Sequence, residues 1–159
     1  MNHLHFDESL IFKNLQAQST EDALKQVATA LFQQGLVKES YINAVIEREK
    51  QYATGLPTEG IAVAIPHTDC IHVNQKAIAI AVLDKPIEFG IMGELDSTTP
   101  VSIIFMLAMD QEHAQLSLLQ NLMAIFQDRV FLEFLVNEPD KQLIKEKIRL
   151  NLLKGGEGK

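Results

Sequence analysis

Four side chains able to do chemistry crowd into one short segment of this 159-residue chain: His67, Asp69, Cys70 and His72. They follow the apolar run Ile61–Ile65, and Pro66 stands directly before His67. A short continuous apolar run after a turn residue such as Gly60 reads as a buried strand. Pro66 removes one backbone freedom at its exit. His67 is thereby expected to be held with unusual rigidity for a loop residue, as an imidazole nucleophile requires.

Three chemistries compete for this cluster. In the first, His67, Cys70 and His72 are metal ligands, but their spacing matches no usual zinc pattern and no second ligand pair appears elsewhere, so no metal is expected. In the second, Cys70 is a nucleophile paired with a histidine; beside the apolar Ile71, its ordinary role is that of a buried structural cysteine. In the third, a ring nitrogen of His67 is itself the nucleophile, taking a group such as phosphoryl while nearby donors offset the charge it brings. Composition and spacing leave these open beside the plainer role of a histidine held by loop hydrogen bonds.

Two further residues could join such a site. Arg48 offers a planar fork for phosphate oxygens, although Glu47-Arg48-Glu49-Lys50 also reads as a solvated charged helix end. His113 opens the helical stretch after Val101–Leu107, where its ring and the free N–H groups of a helix N-terminus could face a loop beside the sheet. Its plainer role is a solvated capping-region histidine. His3 and His5 lie near a terminus and carry no signal. Neither a G-x-x-x-x-G-K-[ST] run nor a G-x-G-x-x-G run occurs, so nothing supports nucleotide binding and no cofactor is expected.

The elements that must position these residues follow from periodicity. Ala23, Leu24, Val27, Ala28, Leu31 and Phe32 have the spacing of one helical face, which predicts a helix over residues 20–34 that starts at Ser19 with Asp22 and stops at Gly35. Ser40 is expected to cap a second helix through Tyr41–Lys50, with Ile42, Val45 and Ile46 inward. Ala77–Leu83 and Val101–Leu107 resemble Ile61–Ile65 in run length and predict two more interior strands, with Lys85–Phe89 as an edge strand. Gln115–Phe126 returns to helical spacing, and Pro139 is expected to open a last helix. About ten residues between Ile65 and Ala77 are too few for a helical crossover, so a long loop is expected there. Strands apolar on both faces need cover on both. The fold class expected is therefore α/β: a three-layer domain with a mixed β-sheet flanked by helices on both faces.

With 47% apolar and 22% charged residues the composition is globular, and the length suits one domain over residues 1–153, with a frayed tail at 154–159. No apolar run approaches the ~20 residues that span a bilayer. The start MNHLHFDESL shows no secretory signal, and the lone Cys70 cannot form an internal disulfide; a cytoplasmic protein without direct membrane insertion is expected. The net charge of −7 argues against nucleic acid as a partner. It would suit a basic protein partner if a local patch guides docking.

At Gly60-Ile61-Ala62-Val63-Ala64-Ile65-Pro66-His67-Thr68 the sequence resembles the active-site strand of the enzyme IIA components of the bacterial sugar phosphotransferase system, in the fructose/mannitol class. Glu47-Arg48-Glu49 followed by Thr54-Gly55, the run Ala77–Leu83, and Val101–Ala108 leading to Glu112-His113 and Leu116–Leu119 resemble the same family in the same order, so that essentially the whole chain is covered. Thr54-Gly55-Leu56-Pro57, the pairing of Pro66-His67 with Ile71-His72-Val73, and the length most resemble the galactitol-type branch.

The resemblance implies that His67 accepts a phosphoryl group from the phosphohistidine of the carrier protein HPr and passes it to a cysteine of enzyme IIB. A membrane enzyme IIC would then take up galactitol or a related sugar. Neither ATP nor an obligatory metal is needed, because a phosphohistidine is itself reactive. In the implied arrangement Nδ1 donates to a loop acceptor and Nε2 attacks, while His113, Arg48, Thr68 and loop N–H groups offset charge on the phosphoryl oxygens. Docking would be transient, and flexible methionines such as Met92 or Met109 would suit two successive partners. A nitrogen-related regulatory enzyme IIA, with the same histidine signalling instead of feeding a transporter, is the alternative.

Overall fold

The structure, a computed structural model, describes residues 4–111 and 116–153. Ten main elements follow one another: β1 (Ile11–Leu15), α1 (Thr20–Gln33), α2 (Ser40–Gln51), β2 (Gly55–Leu56), β3 (Ala62–Ala64), β4 (Ala77–Gly90), β5 (Thr98–Ala108), α3 (Leu116–Phe126), α4 (Arg129–Asn137) and α5 (Lys141–Leu153). The strands form one open sheet in the order β1-β4-β5-β3-β2. β1 runs parallel to β4 and β3 parallel to β5, whereas β4–β5 and β2–β3 are antiparallel, so the sheet is mixed as expected.

Every residue from Ala77 to Leu83 and from Ile103 to Ala108 is buried, whichever face its side chain takes. That requires cover on both faces, and the two helical groups, α1–α2 and α3–α5, supply it. α1 turns Ala23, Leu24, Val27, Ala28 and Leu31 into the core, while Phe105 of β5 meets Phe126 of α3 with ring centroids 4.9 Å apart.

Several expectations hold in detail. Ser19 accepts the Asp22 N–H at 3.1 Å as the cap of α1, and Gly35 follows that helix with a φ of 76°, a left-handed conformation that a side chain would resist. The stretch between Ile65 and Ala77 is a loop, interrupted only by a short 3₁₀ turn at Cys70–His72.

Other expectations are corrected. Ser40 does not cap α2: Glu39 stands at the cap position without a side-chain bond, because the Ser40 hydroxyl pairs with His72 instead. α5 is opened not by Pro139 but by Asp140, whose carboxylate accepts the N–H groups of Gln142 and Leu143. Lys85–Phe89 is no separate strand but the continuation of β4 past an irregularity between Val82 and Ile87, still paired with β5. Phe32, placed by its spacing on the inward face of α1, is exposed.

β1, β2 and α4 were not legible as elements. β1 is short, and only Ile11 among its residues is fully buried. β2 has two residues. His113 and the tail 154–159 lie outside the described residues.

Candidate functional site

β3 lies between β5 and the two-residue edge strand β2, and it runs parallel to β5. The chain therefore leaves β3 and β5 at the same edge of the sheet, the usual place for a site in an open α/β sheet. β3 exits through Ile65 and Pro66, both buried, and delivers His67 half-buried at the rim. The Leu107 N–H of β5 donates to the Pro66 carbonyl at 3.0 Å, tying the exit to the centre of the sheet.

His67 Nδ1 stands 2.9 Å from the Ile65 carbonyl oxygen. A carbonyl oxygen can only accept, so Nδ1 carries a proton and donates it, and in the neutral ring Nε2 keeps its lone pair. The contact matches the expected donation from Nδ1 to a loop acceptor.

Helix α2 braces the loop from end to end. At its start the Ser40 hydroxyl lies 2.8 Å from His72 Nδ1, and the Lys38 N–H donates to the His72 carbonyl at 2.8 Å. One residue on, the Tyr41 phenol, wholly buried, donates to the Leu107 carbonyl at 2.6 Å, and burial pushes its ionisation far above the ordinary range. In its last turns Arg48 Nη1 approaches Asp69 Oδ1 at 3.9 Å, and the guanidinium lies over the Tyr52 ring, 4.8 Å from its centroid.

Arg48 is thus brought to the loop that carries His67, in a mostly solvated pair that holds it lightly. Thr68 follows His67 half-buried, and its hydroxyl makes no hydrogen bond among the described residues. Cys70 is half-exposed and Ile71 beside it is 65% exposed, so the loop that carries His67 presents accessible apolar surface. His113 lies outside the described residues. Among the described residues no group of three or more His, Cys, Asp or Glu is arranged to hold a metal ion.

Sequence reasoning missed Glu49 and Thr54 as parts of this site. The Glu49 carboxylate is buried, with the residue only 7% exposed, and takes two bonds from Thr54: the N–H at 2.8 Å and the hydroxyl at 2.9 Å. Thr54 Oγ1 in turn accepts the Ile65 N–H at 3.2 Å. Burial holds the Glu49 carboxyl above the usual carboxylate range, with the two Thr54 bonds acting in opposition. A signal did exist: Tyr41, Val45 and Glu49 recur at the spacing of one helical face, and an acid on a buried stripe calls for partners.

Residues 4–150 match the family model for the phosphoenolpyruvate-dependent sugar phosphotransferase system, EIIA 2. Among curated relatives, the transcriptional regulator ManR of Bacillus subtilis is 38% identical over 103 residues, which are 65% of this chain but only 14% of that protein's length. The galactitol-specific EIIA component of Escherichia coli K12 is 29% identical over 122 residues, 77% of this chain and 81% of that one. Among solved structures, the complex of enzyme IIA-mannitol and phosphorylated enzyme IIB-mannitol from Escherichia coli contains a chain of the same fold, with a TM-score of 0.72 and 21% identity, over 94% of this chain and 98% of that one. No helix among the described residues is long and apolar enough to cross a membrane.

Proposed function

The chain belongs to the EIIA 2 family of the phosphoenolpyruvate-dependent sugar phosphotransferase system, and on that premise we propose that it is a phosphohistidine carrier whose acceptor is Nε2 of His67. The observation that carries this reading is the 2.9 Å contact between His67 Nδ1 and the Ile65 carbonyl, which leaves Nε2 unprotonated. Phospho-HPr is the donor. Its P–N bond breaks as the bond from Nε2 to phosphorus forms, and the departing imidazole keeps the electron pair. In the second step the thiolate of an enzyme IIB cysteine attacks the same phosphorus, and His67 leaves as a neutral imidazole with Nδ1 still donating to Ile65.

Catalysis in such an exchange is positioning and charge compensation. Arg48 offsets charge on the phosphoryl oxygens, the Thr68 hydroxyl offers a further donor, and His113 has the same role by the family resemblance. Enzyme IIB is the onward partner, as in the complex of the mannitol-type relative, and membrane enzyme IIC is served indirectly. The galactitol-specific relative points to galactitol or a related sugar. A site reached only through transient docking suits a cytoplasmic carrier over residues 1–153.

Incubation with enzyme I, HPr and phosphoenolpyruvate is expected to add one acid-labile phosphate that His67→Ala removes. Labelling that persists in that variant would overturn the assignment. The similarity to ManR favours a second reading in which phospho-His67 serves regulation. Rapid loss of label to a polyol enzyme IIB supports the carrier, and no transfer to any of them supports the regulator.

A further inference from the structure

We infer that Glu49 and Thr54 are positioning residues for His67, acting through the Ile65 peptide group. The connection is continuous: Glu49 accepts from both the N–H and the hydroxyl of Thr54, Thr54 Oγ1 accepts the Ile65 N–H, and the Ile65 carbonyl accepts His67 Nδ1–H. Two features set it apart from ordinary loop bonding.

The first is direction. The Thr54 hydroxyl has one proton, and because Glu49 takes it, a lone pair of Oγ1 is left for Ile65. With no acceptor at position 49 the hydroxyl could turn its proton elsewhere. A carboxylate satisfies both Thr54 donors with its two oxygens, whereas an amide would set an NH₂ against one of them.

The second is cost. Glu49 occupies the buried stripe of α2 with Tyr41 and Val45, and among the described residues no lysine or arginine pairs with it. A carboxyl buried without a cation is less favourable there than an apolar side chain would be. The fold carries that cost at the one place where the peptide orienting His67 needs an anchor. A tilt of that peptide would move the Ile65 carbonyl away from Nδ1, turn the ring, and let the proton move to Nε2, where it blocks attack.

This inference rests on the carrier reading for its kinetics but not for its structural readout. Thr54→Val removes the hydroxyl, Thr54→Ser retains it, and Glu49→Gln retains one acceptor oxygen. Long-range ¹H–¹⁵N spectra of the unphosphorylated protein report which ring nitrogen of His67 is protonated. Phosphoryl uptake from phospho-HPr is measured beside them, and urea unfolding confirms that each variant is folded.

Wild type and Thr54→Ser are expected to show the Nδ1–H tautomer alone. Thr54→Val is expected to show both tautomers, with kcat reduced by up to about 10²-fold and an unchanged KM for phospho-HPr. Glu49→Gln is expected to fall between them. A wild-type ring spectrum and rate in Thr54→Val would overturn the inference, as would equal losses in the serine and valine variants. If the wild-type chain took no phosphate on His67, the carrier reading would fall, while the ring spectrum would still decide the role of Thr54.

Discussion

Arg48 Nη1 lies 3.9 Å from Asp69 Oδ1, so the last turns of α2 reach the loop that carries His67 through a light ionic contact. The guanidinium is also supported on the Tyr52 ring. Its carboxylate partner is 70% exposed, which keeps the pair weak enough to be exchanged for phosphoryl oxygens without a large cost.

From that arrangement, Arg48→Ala is expected to slow phosphoryl uptake by about 10²–10³-fold, as for loss of one donor to a developing oxyanion. Arg48→Lys keeps the charge but not the fork and should lie between the two. The urea midpoint should move little, since the ion pair with Asp69 is exposed and weak. Rapid-quench labelling with phospho-HPr checks the rate, and an unchanged rate would return Arg48 to the role of a solvated helix end.

Tyr41→Phe removes the donor to the Leu107 carbonyl and leaves that carbonyl unpaired in a dry interior. A loss of about 1–3 kcal/mol in unfolding free energy is expected. Urea denaturation measures it. Because the Leu107 N–H holds the Pro66 carbonyl, the amide resonance of His67 should shift as well.

Gly55, which follows Thr54, leaves no room for a side chain: a Cβ there would press on the Gly90 carbonyl oxygen, which is backbone and cannot turn away. Gly55→Ala should therefore destabilise the protein by about 1–3 kcal/mol. The thermal midpoint reads the loss. Gly35→Ala, open on all sides but left-handed at φ 76°, tests backbone strain without crowding and should cost less.

The buried Glu49 carboxyl makes stability depend on pH. Its folded-state value is raised by burial, so the native protein holds this proton more tightly than the unfolded chain does. Stability is then lost as pH rises from the ordinary value of 4.5 through the folded one. Glu49→Gln lacks that loss. The difference in unfolding free energy, variant minus wild type, is expected to rise with pH over that window and then level off. Urea titrations of both proteins at several pH values test the sign, and a difference that falls with pH would contradict it.

Local patterns were enough for the strands and for placing His67 at a strand exit. Ile61–Ile65, Ala77–Leu83 and Val101–Leu107 are apolar at successive positions, which only a doubly covered sheet accommodates, and the proline at position 66 marks where the first of them must release the chain. α1 was readable because its face repeats and its cap is local. The helical spacing after β5 stops at Phe126, and α4 escaped because its start rests on Asp128 accepting the Phe131 N–H after a break of only two residues.

At the site, residue type offered His67 and Arg48 as candidates with the chemistry left open, and the resemblance gave each its implied role. The ring's orientation, the meeting of Arg48 with Asp69, the diversion of Ser40 to His72 and the connection from Glu49 through Thr54 to Ile65 were decided by tertiary structure. The reason is physical: periodicity reports which face of an element is buried, whereas a hydrogen bond between distant residues exists only once packing has brought a particular donor within about 3 Å of a particular acceptor. Position 49 shows the boundary between the two. Its place on the inward stripe of α2 follows from helical spacing, but which donors would meet a carboxylate there was settled only when β2 and β3 folded against that helix.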